Sequence, residues 1–124
     1  MYSGVPVDHA IVINSAHVRI AKRLEQSSGY LELGLPAQAL RNIEGLSSEG
    51  HLEGALQYVR GQALRMQNRF EDAVAPLAAA AKLLPGDASR HIWLAIAECH
   101  RANRAGPLVA NTLAIARGAN LPVQ

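Results

Sequence analysis

At 124 residues, 49% of them hydrophobic but only 4% aromatic, the chain has the size of one globular domain, with much of its apolar content supplied by alanine. Twelve Lys and Arg against ten Asp and Glu leave a formal charge of +2 with no basic run, so the electrostatic footprint of a nucleic-acid binder is missing. The single cysteine, Cys99, excludes an internal disulfide and a zinc ribbon, and fits a reducing compartment.

In chain order, the segment 1–19 opens without the basic start of a signal peptide, and its apolar stretch Ala10 to Ile13 is too short for a membrane span. A cytoplasmic protein that does not enter a membrane is expected. Ile11-Val12-Ile13 reads either as a short extra helix or as an extended arm laid against the first repeat. Apolar spacing then predicts a helix over Ser15 to Leu33 and a second from Pro36 to Leu46, with Pro36 at the first helical position, where its missing N–H costs nothing. Two more helices come next, over Leu52 to Gln67 and Arg69 to Leu84, the latter stopped by Pro85-Gly86. Asp87 serves as an N-cap candidate for a fifth helix running to Ala102, and after a turn through Asn103 to Gly106 the chain restarts at Pro107. Pro76, inside the fourth helix, removes a backbone hydrogen bond and is expected to bend it. Nothing else reads as strand.

These helices repeat. Gly34-Leu35-Pro36-Ala37-Gln38-Ala39-Leu40 and Asn68-Arg69-Phe70-Glu71-Asp72-Ala73-Val74 share a turn residue, a helix start and an Ala-aliphatic pair, with Ala39 and Ala73 separated by 34 positions. The same offset carries Ser27 onto Gly61, Tyr30 onto Leu64, Ile43 onto Leu77 and Leu46 onto Ala80. Blocks therefore run over about 20–53, 54–87 and 88–122, forming one domain over 20–122. A helix hairpin of this size leaves one apolar face bare and must stack on a neighbour. Small residues (Ser27, Gly61, Ala39, Ala73) belong where the helices cross, and bulky ones (Tyr30, Leu64, Ile43, Leu77) at the seam between hairpins.

This pattern resembles the tetratricopeptide repeat. Block two carries the landmarks Gly61-x2-Leu64, Ala73-x3-Leu77, Ala80 and Pro85; block one keeps Tyr30, Gly34, Ala39, Ile43 and Leu46 but has His51 at the proline position. Both lack the family's tryptophan. Block three departs most: strict register puts Pro107 at the alanine position, while two extra residues in the turn set Val109, Leu113 and Ala116 on the seam. The resemblance implies an all-α protein of antiparallel helix hairpins stacked as a short right-handed superhelix. It also implies that the first helix of every hairpin lines a concave groove receiving an extended or helical peptide.

Helical spacing then assigns the groove: Ala21, Leu24, Ser28 and Leu31 in block one, Ala55, Tyr58, Gln62 and Arg65 in block two, and Ser89, Ile92, Ile96 and Cys99 in block three. Leu24, Ser28, Leu31, Tyr58, Gln62, Arg65, Ile92 and Ile96 are the expected contacts with an apolar or amphipathic segment of another protein. A self-associating assembly module is the alternative. One branch of the family grips carboxylate tails with several cations on this face; here only Arg65 stands there.

Nothing in the sequence reads as a catalytic, cofactor or metal site. The five histidines form no i,i+4 pair, the neighbours Cys99 and His100 diverge on a helix, and Glu71-Asp72 sit in a first turn, where the helix dipole favours carboxylates. No phosphate loop, nucleophile elbow or dinucleotide fingerprint is present.

Overall fold

The structure, a computed structural model, describes residues 5–104 and 106–118, with side chains described over 15–104 and 108–118. Six helices run through the described residues: α1 (Val5–Glu32), α2 (Pro36–Asn42), α3 (Gly50–Met66), α4 (Phe70–Leu83), α5 (Gly86–Ala102) and α6 (Gly106–Ala116). The protein is all-α. The Ile11 segment is the opening stretch of α1 itself, and expectations for residues 1–4, Ala105 and the last six residues lie outside the described residues.

Several boundaries differ from those read in the sequence, beginning with α1, which starts at Val5 instead of Ser15. Helix α2 stops at Asn42 rather than Leu46, because the chain turns at Gly45, whose φ of 80° continues no right-handed helix. The N-cap of α5 is Pro85, extended at ψ 160°, so Asp87 lies inside the first turn and acts on the dipole instead of capping. Helix α4 runs unbroken past Pro76 to Leu83.

The hairpin turns share one geometry. At the end of α1 the N–H of Gly34 donates to Leu31 O at 3.0 Å and that of Leu35 to Tyr30 O at 2.8 Å; at the end of α3 Asn68 donates to Arg65 O at 2.9 Å and Arg69 to Leu64 O at 2.9 Å. This is the paired closure of a Schellman motif, which needs a left-handed residue just past the helix. Gly34 (φ 76°), Asn68 (φ 62°) and Arg104 (φ 60°) supply it after α1, α3 and α5. Arg104 repeats the first of the two bonds, donating to Arg101 O at 3.0 Å.

In the first two hairpins the helices run antiparallel and approach through small residues. A Cβ built on Gly61 falls 2.5 Å from Leu77 Cδ2, and one on Gly54 falls 2.9 Å from Leu84 Cγ and 3.1 Å from Leu83 Cβ, so α3 approaches α4 closely at Gly61 and again near the end of α4 at Gly54. In the first hairpin Ser27 occupies the place of Gly61, and its buried hydroxyl donates to Ala39 O at 2.9 Å. Asn42 Nδ2 in turn donates to Ser27 Oγ at 3.2 Å and to Arg23 O at 3.0 Å, tying the end of α2 back to α1. Ala39, Ala73, Ile43 and Leu77 are all fully buried. Two apolar cores result. Ile20, Leu24, Ile43, Leu56 and Val59 form the first, between α1, α2 and α3. Ala73, Leu77, Ala80, Ala81, Ile92, Ile96 and Cys99 form the second, between α4 and α5, with Tyr58 and Leu64 of α3 packed on it.

The second interval of the repeat is longer than the first. Left-handed residues fall at Gly34, Asn68 and Arg104, the second gap being 36 positions instead of 34. Gly50 and Gly86, which open α3 and α5 with φ of 58° and 48°, are also 36 apart, and both helices have 17 residues. The two extra residues thus enter between Asn68 and Gly86, around α4, and not in the turn after α5. Two residues on a helix amount to a rotation of about 200°, so every assignment made on α5 with the shorter period is turned to its opposite side.

Candidate functional site

That rotation decides where the expected groove residues lie. In the observed register Ile92 matches Leu56 and Cys99 matches Ala63, positions that are 0% exposed in α3, and Ile92 and Ile96 are 2% and 1% exposed. Both isoleucines are core and line no surface. Leu24 is withdrawn as well, at 9% exposure against Leu56 and Val59, because α1 and α3 pack directly and this position is their contact. Ser28 is exposed on α1, and Leu31 is half-buried against the first core.

Tyr58, Gln62 and Arg65 do come together. They lie on one stripe of α3, at successive spacings of four and three, and are all half-buried. Gln62 Nε2 donates to the Tyr58 hydroxyl at 3.1 Å, so the phenol keeps its own proton free for an outside acceptor. The Tyr58 ring rests on the second core. Arg65 reaches across to α5, where its Nη1 donates to Glu98 Oε1 at 2.8 Å, the side chains being 28% and 62% exposed. Gln62 Oε1 is buried with no hydrogen-bond partner among the described residues.

Sequence reasoning misses Glu98 for the reason that displaces Ile92: it is the counterpart of Gln62 at the longer spacing. Leu94 and Arg101 are likewise the counterparts of Tyr58 and Arg65. The surface therefore continues from α3 onto α5 through Leu94, Glu98 and Arg101, all three exposed. Beneath it lies Cys99, whose thiol burial pushes above its ordinary value, with Arg65 partly opposing and Glu98 reinforcing that shift. A protonated, buried thiol is a poor nucleophile, so Cys99 acts here as packing.

Clefts lie away from this surface as well. One, of about 810 Å³, is open to solvent between α1 and the approach to α3, lined by His17, Ile20, Ser47, Ser48, Glu49 and His51 among others. Another, of about 470 Å³, is bounded by Glu71, Val74, His100, Asn103 and Leu108. Among the described residues no three His, Cys, Asp or Glu side chains gather in a metal-binding group, and no helix is long and apolar enough to cross a membrane.

The site is thus a side-chain surface on an all-α scaffold of paired helices. Comparison with protein-family models, with curated proteins and with solved structures finds no match.

Proposed function

We propose that the chain is a tetratricopeptide-type repeat module, its hairpins stacked as a short right-handed superhelix, that works as a cytoplasmic adaptor. It binds a segment of another protein across the stripe Tyr58, Gln62, Arg65 and Glu98, with Ser28 and Leu31 on its α1 side. Catalysis and cofactors have no part in this reading.

The observation that carries it is the arrangement of Tyr58 and Arg65. An aromatic ring and a guanidinium, the side chains that most often dominate interfaces, stand half-buried on one stripe that bridges two hairpins. Their packing below lowers the entropy lost on binding, and their polar tips remain available above. An amphipathic segment suits this surface. Its apolar side meets the Tyr58 ring and Leu31, while a backbone or side-chain acceptor takes the phenol proton and a carboxylate can compete with Glu98 for Arg65.

The test places a photo-crosslinking amino acid at Tyr58, or at Arg41 on the exposed side of α2, in living cells, and identifies the captured protein. Isothermal titration with that protein should then show Tyr58→Ala together with Arg65→Ala weakening binding at least about tenfold, the equivalent of 1.4 kcal/mol or more. Arg41→Glu should leave affinity unchanged. Capture from Arg41 alone, or equal loss from both faces, puts the site elsewhere.

A further inference from the structure

The exposed side of α5 carries a charge pattern that is complementary to itself. Leu94 is 40% exposed. Its counterparts in the earlier hairpins are covered: Leu24 by α3, and Tyr58 in part by the second core. Around Leu94 the exposed acidic and arginine residues are Asp87 and Arg101, each seven positions away, and Arg90 and Glu98, each four positions away, with exposed His91 three positions away at the edge of the stripe. With about 100° of rotation per residue, the four acidic and arginine residues lie within about 40° of Leu94, in one narrow stripe.

The signs alternate so that the stripe read backwards is its own complement: Asp, Arg, Leu, Glu, Arg in one direction meets Arg, Glu, Leu, Arg, Asp in the other. We infer that this face of α5 pairs with the same face of a second copy of the chain, antiparallel, about a twofold axis passing through Leu94. The axis sets Leu94 against Leu94. It sets Asp87 against the second copy's Arg101 and Arg90 against the second copy's Glu98, giving four oppositely charged pairs around one apolar contact. A twofold interface requires such self-complementarity, and both of its independent pairs, Asp87 with Arg101 and Arg90 with Glu98, supply it.

Within the chain Asp87 and Arg101 make no ion pair among the described residues, so both are available. Glu98 already holds Arg65 and would bridge it to the second copy's Arg90. A helix pair of this length makes a small interface, so the dimer is a weak one, with a dissociation constant on the order of 10–100 µM.

The dimer face shares Glu98 with the partner-binding stripe but not Tyr58, so Leu94→Glu tests this inference and Tyr58→Ala the partner-binding reading, and the two can fail separately. Sedimentation equilibrium, at chain concentrations on the order of 10–1,000 µM, should show a monomer–dimer equilibrium. Leu94→Glu should abolish it and Tyr58→Ala should leave it unchanged. Asp87→Lys and Arg101→Glu should each weaken it at least tenfold, since each sets like charges opposite one another at two places. Mixing these two variants should restore association, because the mixed dimer regains both oppositely charged pairs. That restoration has no origin in the fold of either variant alone, and circular dichroism establishes that each variant is folded. As a second measurement, Leu94→Cys should form an intermolecular disulfide on mild oxidation, whereas Glu25→Cys, on exposed α1, should not. A chain that stays monomeric throughout, a dimer indifferent to Leu94→Glu, or a mixture that associates no better than its components overturns the inference.

Discussion

Gly61 lies directly beneath Leu77: a methyl group placed on it would meet Leu77 Cγ and Cδ2 at 2.5 Å and the Leu77 backbone nitrogen at 3.3 Å. Leu77 is fully buried, so its side chain has no open space to move into, and its backbone nitrogen stays a tight contact wherever the side chain goes. Gly61→Ala is expected to destabilise the protein by about 1–3 kcal/mol, although alanine is the better helix former. Gly29, also helical, has nothing within 4 Å of such a methyl, and Gly29→Ala should stabilise by about 0.5–1 kcal/mol. Urea denaturation followed by circular dichroism distinguishes the two signs, and parallel behaviour would contradict the close approach of α3 and α4.

The three hairpin turns give a graded series. Gly34, Asn68 and Arg104 hold the same left-handed backbone, which is free of steric cost for glycine, tolerable for asparagine and unfavourable for arginine. Arg104→Gly should therefore raise stability by about 0.5–1 kcal/mol, Asn68→Gly by less, and Gly34→Val should lower it by about 1–2 kcal/mol. Melting temperatures in that order support a shared turn geometry.

Ser27 fills in the first hairpin the place that Gly61 leaves empty in the second, and fills it with a hydrogen bond. Ser27→Ala keeps the volume but removes the hydroxyl from Ala39 O and from Asn42 Nδ2 inside a buried contact. A loss of about 1–3 kcal/mol is expected in chemical denaturation. A neutral result would mean that water replaces the hydroxyl.

Cys99 couples stability to alkaline pH. Its folded-state pKa is raised chiefly by burial, so above about pH 9.0 the unfolded chain releases the thiol proton while the folded chain keeps it. The contribution is fully present below the unfolded thiol's pKa and is lost as pH rises through the folded-state value. Wild-type stability should thus fall more steeply than that of Cys99→Ala above pH 9.0, with parallel curves below it, measured by urea denaturation across the alkaline range. A thiol-specific reagent should label Cys99 slowly in the folded protein and rapidly in denaturant.

The first two hairpins are legible in the sequence because their landmarks are chemical identities at a fixed offset. Ala39 and Ala73, Ile43 and Leu77, and Ser27 and Gly61 occupy matched places in the structure as they do in the sequence. The third hairpin is not, because the longer interval leaves few identities to align: Leu56 is answered by Ile92, Ala63 by Cys99 and Gly61 by Ala97. The available signal lies in Gly50 with Gly86, Arg65 with Arg101, Leu77 with Leu113 and Ala80 with Ala116, which agree at the longer spacing. Placing the extra residues in the turn after α5 leaves α5 itself in the shorter register and sends Ile92 and Ile96 to the surface. Tyr58, Gln62 and Arg65 can be found from the sequence because α3 needs no such shift. Glu98 is invisible for want of it, since an acidic residue in mid-helix carries no mark of a partner 33 positions away.

The order in which helices touch also bears on how the chain reaches this structure. Each principal packing partner is one or two helices away in sequence: α1 with α2 and α3, α2 with α3, then α3 with α4, α4 with α5 and α5 with α6. Among the described residues no distant segments must find each other before stabilising contacts form, so loop-closure entropy stays small and folding should be complete within milliseconds or less. The central pair α3 and α4, held by Gly61 and Gly54 and flanked by both cores, is the natural nucleus. Amide exchange should be slowest there and quicken toward α1 and α6, a gradient rather than a single cooperative opening.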